Sequence, residues 1–176
     1  MGIKTKFIKS YSLRGEWTEA RFMIRACEHG FNVSRPWGGS SRYDFAVELN
    51  GQFLRVQVKS TTWKKDGVAY VFALCGATRR RYTEEEIDFF AVYVIPEDAW
   101  YIIPASVVVR LKSSLRLYPH STNQRKHKYE CYFEAWHLLK SAKPKAKPPR
   151  LRDTSCPGNV LIIAILSKAI SKSLSS

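Results

Sequence analysis

Residues 42–60 read RYDFAVELNGQFLRVQVKS, and their pattern decides the local fold. Asn50 and Gly51 stand at the centre. A type I′ turn needs positive φ at both central positions, so Asn-Gly between alternating residues marks a two-residue hairpin. Such a loop pairs Leu49 with Gln52. Counting outward, Glu48 faces Phe53, Ala46 faces Arg55, and Asp44 faces Gln57. Side chains alternate along a strand, so Phe45, Val47 and Leu49 share a greasy face with Leu54, Val56 and Val58. The other face carries Asp44, Ala46 and Glu48, then Phe53, Arg55, Gln57 and Lys59.

This register has a chemical consequence. Directly opposed residues have Cβ atoms about 5 Å apart. Residues two apart on one strand share a face at about 6.6 Å. Asp44, Gln57 and Lys59 therefore converge on one patch. Taken singly, Asp44 reads as a strand-start residue, and Gln57 and Lys59 as a solvated strand face. Together they offer a carboxylate, a neutral carbonyl oxygen and a cation. The oxygens suit Mg²⁺, which takes one or two protein carboxylates and keeps several waters. The lysine can stabilise negative charge developing on a phosphate, and a metal ion lowers the pKa of water. These are the parts needed to hydrolyse a phosphodiester.

Upstream of the hairpin, the spacing predicts a helix over 12–29. Trp17, Ala20, Met23 or Ile24, and Cys27 recur on one side. Gly30 stops it, and Phe31 can fold back to pack. Residues 34–41, SRPWGGSS, read as a loop. Downstream, 67–74 (GVAYVFAL) reads as a strand and 79–86 as a charged loop. The near-continuous apolar run 87–95 (IDFFAVYVI) reads as a central strand buried on both faces. Pro96-Glu97-Asp98 is a turn, 99–103 a further strand, and 104–109 a short helix. Residues 110–128 are basic and polar, and 129–140 (YECYFEAWHLLK) read as a closing helix with Tyr132, Phe133, Trp136 and Leu139 inward. The fold class is α+β, a mixed sheet containing an antiparallel hairpin and flanked by helices.

The chain has 176 residues and a formal net charge of +14. Residues 1–139 carry 21 Lys and Arg against 14 Asp and Glu, or +7, and residues 140–176 carry 8 against 1, again +7. A basic body points to a polyanion, nucleic acid above all. No amphipathic basic helix in the body favours a membrane surface. The longest apolar run, Val160–Leu166, is far short of the roughly 20 residues a bilayer needs. Cys27, Cys75, Cys131 and Cys156 form no C-x-x-C pair and lie at no zinc-ligand spacing from a histidine. They read as reduced thiols, and with no apolar stretch opening the sequence the expected compartment is cytoplasmic. The expected organisation is one domain over 1–139, a Lys/Pro linker over 140–159, and a tail over 160–176 with a possible short helix.

Five pieces follow one another in order: Gly15 to Glu19 on the first helix, Tyr43-Asp44, Val56 to Ser60 (VQVKS), Asp88 to Tyr93 (DFFAVY), and Ala135 to Leu139 (AWHLL). This ordered series resembles the PD-(D/E)XK endonuclease superfamily, and within it a bacterial subfamily that includes group I intron-encoded homing endonucleases. The resemblance covers residues 12–139. It implies an α/β/α restriction-endonuclease-like core and an active site of Glu19, Asp44, Gln57 and Lys59. Glu19, Asp44 and Gln57 would hold Mg²⁺, with Mn²⁺ as a substitute. Most of the superfamily has Asp or Glu where Gln57 stands, and the homing-type branch resembles this chain in having Gln. Glu19 would then supply the missing carboxylate, with Glu16 the alternative if the helix turns differently.

The implied activity is cleavage of double-stranded DNA, site-specific and of homing type. A restriction enzyme, a Holliday-junction resolvase or a DNA-binding remnant without metal are the alternatives on the same fold. Cutting two strands needs two sites, so a homodimer or homotetramer is expected. Candidate DNA contacts follow the catalytic strand at Ser60, Thr61, Thr62, Lys64 and Lys65, with Trp63 among them. A second cluster is Arg79, Arg80 and Arg81, and a third is Arg110, Lys112, Arg116, Arg125, Lys126 and Lys128. Phosphate contacts position and base contacts specify, which sequence does not sort.

Overall fold

The computed structural model describes residues 10–74, 80–111, 114–121 and 127–142, all within a compact unit spanning Met1–Pro144. Helix α1 runs Tyr11–Glu28, capped by Ser10, whose hydroxyl accepts from the Leu13 amide at 3.4 Å. Gly30 follows at φ +85° and Phe31 folds back into the core, as expected. Strand β1 (Asn32–Ser34) comes next, between the expected helix and the expected loop and overlapping that loop only at Ser34. Three residues are too few to show a period.

The hairpin forms in the expected register. Strand β2 (Phe45–Leu49) pairs antiparallel with β3 (Gln52–Thr61), from Leu49 with Gln52 outward to Phe45 with Val56. Asn50 and Gly51 sit at φ +53° and +76°. Strand β6 (Phe89–Val94) lies parallel to β3, and β7 (Ala99–Pro104) antiparallel to β6. The five-stranded order is β1-β2-β3-β6-β7. Every residue of β6 is buried. Phe89, Ala91 and Tyr93 enter one core, and Phe90, Val92 and Val94 the other. A strand buried on both faces needs no polar alternation, which explains its continuous apolar run.

On one face of this sheet, α1 and the last helix α3 (His137–Ser141) cover Phe45, Val47, Val56, Val58 and Trp100. On the other, a small antiparallel sheet of β4 (Lys64–Lys65), β5 (Ala69–Ala73) and β8 (Ser114–Leu117) supplies Tyr70, Phe72, Leu115 and Leu117. Helix α2 (Ala105–Val108) follows β7 directly. The expected strand near 67–74 therefore exists but belongs to a second sheet, whose partner β8 lies in the stretch expected to be only basic and polar.

Two expectations are corrected. Thr18, Phe22 and Ala26 are the buried residues of α1, whereas Ala20, Met23, Ile24 and Cys27 are exposed and Trp17 is only partly covered. The helix is apolar on two sides, so periodicity alone does not choose between them. Aromatic contacts choose: Phe22 meets Phe45, Trp100 and Trp136 at centroid distances of 5.5, 5.7 and 5.8 Å. The closing helix over 129–140 is also broken. A 3₁₀ turn spans Glu130–Tyr132, Phe133 is extended, and Glu134 adopts φ +46° before α3 begins. Here the open edge of β7 outcompetes local helix. Phe133 bridges Tyr101, the Glu134 amide donates to the Trp100 carbonyl at 2.8 Å, and the Glu134 carboxylate accepts from the Trp100 amide at 2.7 Å. An unpaired edge carries backbone groups that must be satisfied.

Among the described residues no helix is long and apolar enough to cross a membrane. Cys27 and Cys131 are free and exposed. Of the expected linker over 140–159, Lys140 and Ser141 instead end α3. The linker beyond Ala142 and the tail lie outside the described residues, as do Cys75 and Cys156.

Candidate active site

Strand β3 carries Gln57 and Lys59 on its polar face, and the hairpin register brings Asp44 opposite Gln57. The Asp44 amide donates to the Val56 carbonyl at 3.0 Å, which extends the ladder one residue beyond β2. Asp44 Oδ2 accepts from Gln57 Nε2 at 2.5 Å and from the Val58 amide at 2.7 Å. Two donors thus fix one carboxylate oxygen. Among the described residues nothing donates to Oδ1. Gln57 is buried, and its Nε2 is also 3.3 Å from the Val58 carbonyl. Its amide is therefore held by nitrogen, with the carbonyl oxygen left over.

Glu19 comes from α1, which crosses the same end of the hairpin. Tyr11, Arg14, Gly15, Thr18 and Glu19 form one wall of an open cleft, and Asp44, Gln57, Val58, Lys59 and Ser60 the other. Glu16 is exposed and does not line it. Gly15 gives room on the helix side, since a methyl group there would meet no protein atom within 4 Å.

The two carboxyls feel each other and their surroundings. Burial pushes the Glu19 carboxyl above the usual carboxylate range, with the Asp44 charge adding to the effect and Arg35 and Lys59 opposing it. Burial likewise raises Asp44, against the Val58 hydrogen bond, Lys59, Gln57 and Arg35. Two half-buried carboxyls held at raised pKa beside one another form a site that gains by acquiring positive charge. Glu19 Oε2 is buried with no hydrogen bond, and the Arg35 guanidinium stands 3.0 Å away outside hydrogen-bonding orientation. Lys59 makes no hydrogen bond or ion pair among the described residues. Its Nζ lies 5.5 Å from the centroid of the Tyr82 ring, within cation–π range.

Among the described residues no three His, Cys, Asp or Glu side chains cluster as a metal site. The cleft offers two carboxylates and one amide oxygen. That donor set is hard, all oxygen and incomplete, which fits Mg²⁺ with waters and a phosphate completing the shell.

Residues 10–139 match the sequence profile of PD-(D/E)XK endonucleases. The chain belongs to the PD-(D/E)XK endonuclease family. Among solved structures it is similar to the bacterial homing endonuclease I-Ssp6803I, with 32% identity over 74% of this chain and 93% of that one, at a TM-score of 0.66. It is also similar, at 16% identity and a TM-score of 0.43 over 60% of this chain and 84% of the other, to Hjc of Archaeoglobus fulgidus, a Holliday junction resolvase. No curated protein gives a significant match. PD-(D/E)XK nucleases generally use divalent metal ions such as Mg²⁺. The mixed five-stranded sheet with helices is the restriction-endonuclease-like fold of this family.

The expected DNA contacts scatter. Ser60 lines the cleft, and Thr62 and Lys64 are exposed. Thr61 is buried, donating to the Val71 carbonyl at 2.7 Å, and so ties the two sheets together. Lys64 faces Glu97 at 3.9 Å, while Lys65 is partly covered. Arg80 pairs with Glu86 at 2.6 Å, and the carbonyls of Arg80 and Arg81 accept from Arg42 at 3.3 and 3.2 Å. Arg110 and Arg116 are exposed, as is Lys128. Arg79, Lys112, Arg125 and Lys126 lie outside the described residues. Sequence reasoning missed Arg35, Arg14 and Tyr82. Arg14 lies five residues before Glu19, off its face of the helix, so helical spacing points from Glu19 to Gly15 and not to Arg14. Nothing local ties Arg35 or Tyr82 to the cleft.

Proposed function

We propose that this PD-(D/E)XK protein is a Mg²⁺-dependent DNA endonuclease that makes site-specific double-strand cuts of homing type. The observation that supports it most is the meeting of Glu19 with Asp44, Gln57 and Lys59 in one cleft. Glu19 Oε2, Asp44 Oδ1 and the Gln57 carbonyl would hold the metal, with Mn²⁺ able to replace Mg²⁺. When bound, the metal supplies positive charge opposite the phosphate and makes water a stronger acid. Lys59, without an acidic partner, stabilises the negative charge that develops on the phosphate or orients the attacking water. The Val58 amide and the Gln57 side-chain nitrogen keep Asp44 in one orientation, so that little of its freedom is lost during the reaction. The similarity to a homing endonuclease at 32% identity supports the finer reading.

The same proposal takes the nuclease domain as residues 1–139, with 140–159 a basic linker and 160–176 a tail that adds only non-specific affinity. It takes double-stranded DNA as partner and Ser60, Thr62, Lys64, Lys65 and the arginines at 79–81 as phosphate contacts. It takes the cytoplasm as compartment, and a homodimer or homotetramer as the cutting unit, because each site cuts one strand. The test is nicking of supercoiled plasmid with Mg²⁺ and with EDTA, for wild type, Glu19→Gln and Asp44→Asn. Metal-dependent linear product from wild type alone is expected. Equal cleavage in EDTA, or by Asp44→Asn, would remove the metal site from the proposal.

A further inference from the structure

Arg35 lies on the exposed segment between β1 and β2, directly before Pro36. Its side chain is 66% exposed, yet its guanidinium reaches Glu19, whose side chain is 21% exposed. The approach is to Oε2, the carboxylate oxygen that is buried and hydrogen-bonded to nothing. At 3.0 Å, but outside hydrogen-bonding orientation, the arginine supplies charge to that oxygen without the directed bond it could make elsewhere. Arginine does not give up its proton, so it cannot be neutralised in place. A divalent ion on Glu19 would put a second cation against the guanidinium, and one of the two must move. The mobile partner is the exposed side chain, and its planar fork matches a phosphate better than it matches the buried oxygen.

We propose that Arg35 is a placeholder cation, which neutralises Glu19 before metal arrives and is drawn off by a DNA phosphate, coupling DNA binding to metal binding. The inference rests on the reading of Glu19 as a metal ligand. Linkage makes the coupling reciprocal: whatever DNA does for metal affinity, metal does for DNA affinity. The device favours a loaded site when substrate is present and an ion-paired, quieter one when it is absent.

The test is calorimetric titration of the full chain with Ca²⁺, alone and with a 20-base-pair duplex of arbitrary sequence at low salt. Wild type is compared with Arg35→Ala and with Arg14→Ala, which removes an arginine of the cleft wall that forms no ion pair with Glu19. Arg35→Ala is expected to bind Ca²⁺ about fivefold more tightly than wild type without DNA, since it loses a cation in contact with the ligand. DNA is expected to tighten Ca²⁺ binding about fivefold more in wild type than in Arg35→Ala. Arg14→Ala should retain the wild-type coupling. Equal Ca²⁺ affinities for wild type and Arg35→Ala would overturn the inference, as would the same change in both arginine variants. Two further titrations separate this failure from a broader one. If Asp44→Asn and Glu19→Gln leave Ca²⁺ binding intact, the metal site itself falls and the inference with it. If they weaken it while Arg35→Ala does nothing, only the role of Arg35 falls. Melting temperatures check that each variant is folded.

Discussion

Arg55 and Lys59 stand on the same strand and the same polar face, four residues apart, and the protein treats them in opposite ways. Arg55 is saturated. Its amide and Nε donate to Asp88 Oδ2 at 2.8 and 3.0 Å, and its Nη2 donates to Oδ1 at 3.0 Å. The Glu84 carbonyl also accepts from Nη2, and the Glu85 carbonyl accepts from Nη1. The Asp88 amide closes the loop on the Arg55 carbonyl at 2.9 Å. This clamp holds the start of β6 against β3, where parallel pairing gets no help from a tight turn. Lys59 has an aromatic ring near it and no acid in contact. A cation whose charge is spent on a carboxylate fixes structure, and one whose charge is unspent can meet a phosphate. Sequence patterning gives both as polar-face residues of one strand and does not tell them apart.

Several substitutions can break or sharpen this contrast. Lys59→Ala should reduce plasmid cleavage by about a thousandfold, the scale of losing a positioned charge-stabilising group. Its melting temperature should stay near wild type, and DNA binding should survive in a filter or gel-shift assay. Wild-type turnover by this variant would take Lys59 out of the chemistry and dissolve the contrast. Arg55→Ala should do the reverse. It leaves Asp88 partly buried without its main partner, at a cost of about 2–3 kcal/mol. Thermal melting should show a fall of roughly 5–10 °C, with Ca²⁺ affinity unchanged. A stable Arg55→Ala that no longer binds metal would mean that both cations belong to the site.

Gln57→Glu adds a carboxylate midway between the two cations. Metal binding should tighten by about tenfold, because charge count sets affinity in oxygen sites. In EDTA the same variant should melt lower at neutral pH, since a third acid joins two already held at raised pKa. Calorimetry and melting on one preparation check both halves. Unchanged metal affinity would place Gln57 outside the metal shell.

The smallest effect concerns Glu19. A carboxyl whose folded pKa lies above its unfolded value stabilises the fold fully below the unfolded pKa and loses that contribution as pH rises through the folded one. At neutral pH Glu19 therefore costs stability, chiefly through its burial. Glu19→Gln should raise the melting temperature by roughly one or two degrees at pH 7. The gain should vanish near pH 4, about where an unperturbed Glu takes up its proton. A lower melting temperature at pH 7 would show that the Arg35 contact outweighs desolvation.

What the sequence determined by itself is what short-range geometry dictates. Asn50-Gly51 sets a two-residue loop, the loop sets the register, and the period of two then places Asp44 against Gln57 with Lys59 beside them. The continuous apolar run of β6 announced burial on both faces for the same kind of reason. Tertiary structure decided the rest. It chose the Thr18–Phe22–Ala26 face of a helix apolar on two sides, because only that face meets Phe45, Trp100 and Trp136. It broke the closing helix to satisfy the edge of β7, and it paired two short segments, β5 and β8, that lie over 40 positions apart. It also set Glu19, not Glu16, against Asp44 across 25 residues of sequence, and laid Arg35 on Glu19. A turn fixes its own dihedrals and the few residues that pair across it, whereas contacts between distant segments depend on how every buried face is satisfied at once. Half of this site is local and was legible, and the half that brings helix to hairpin exists only in the folded chain.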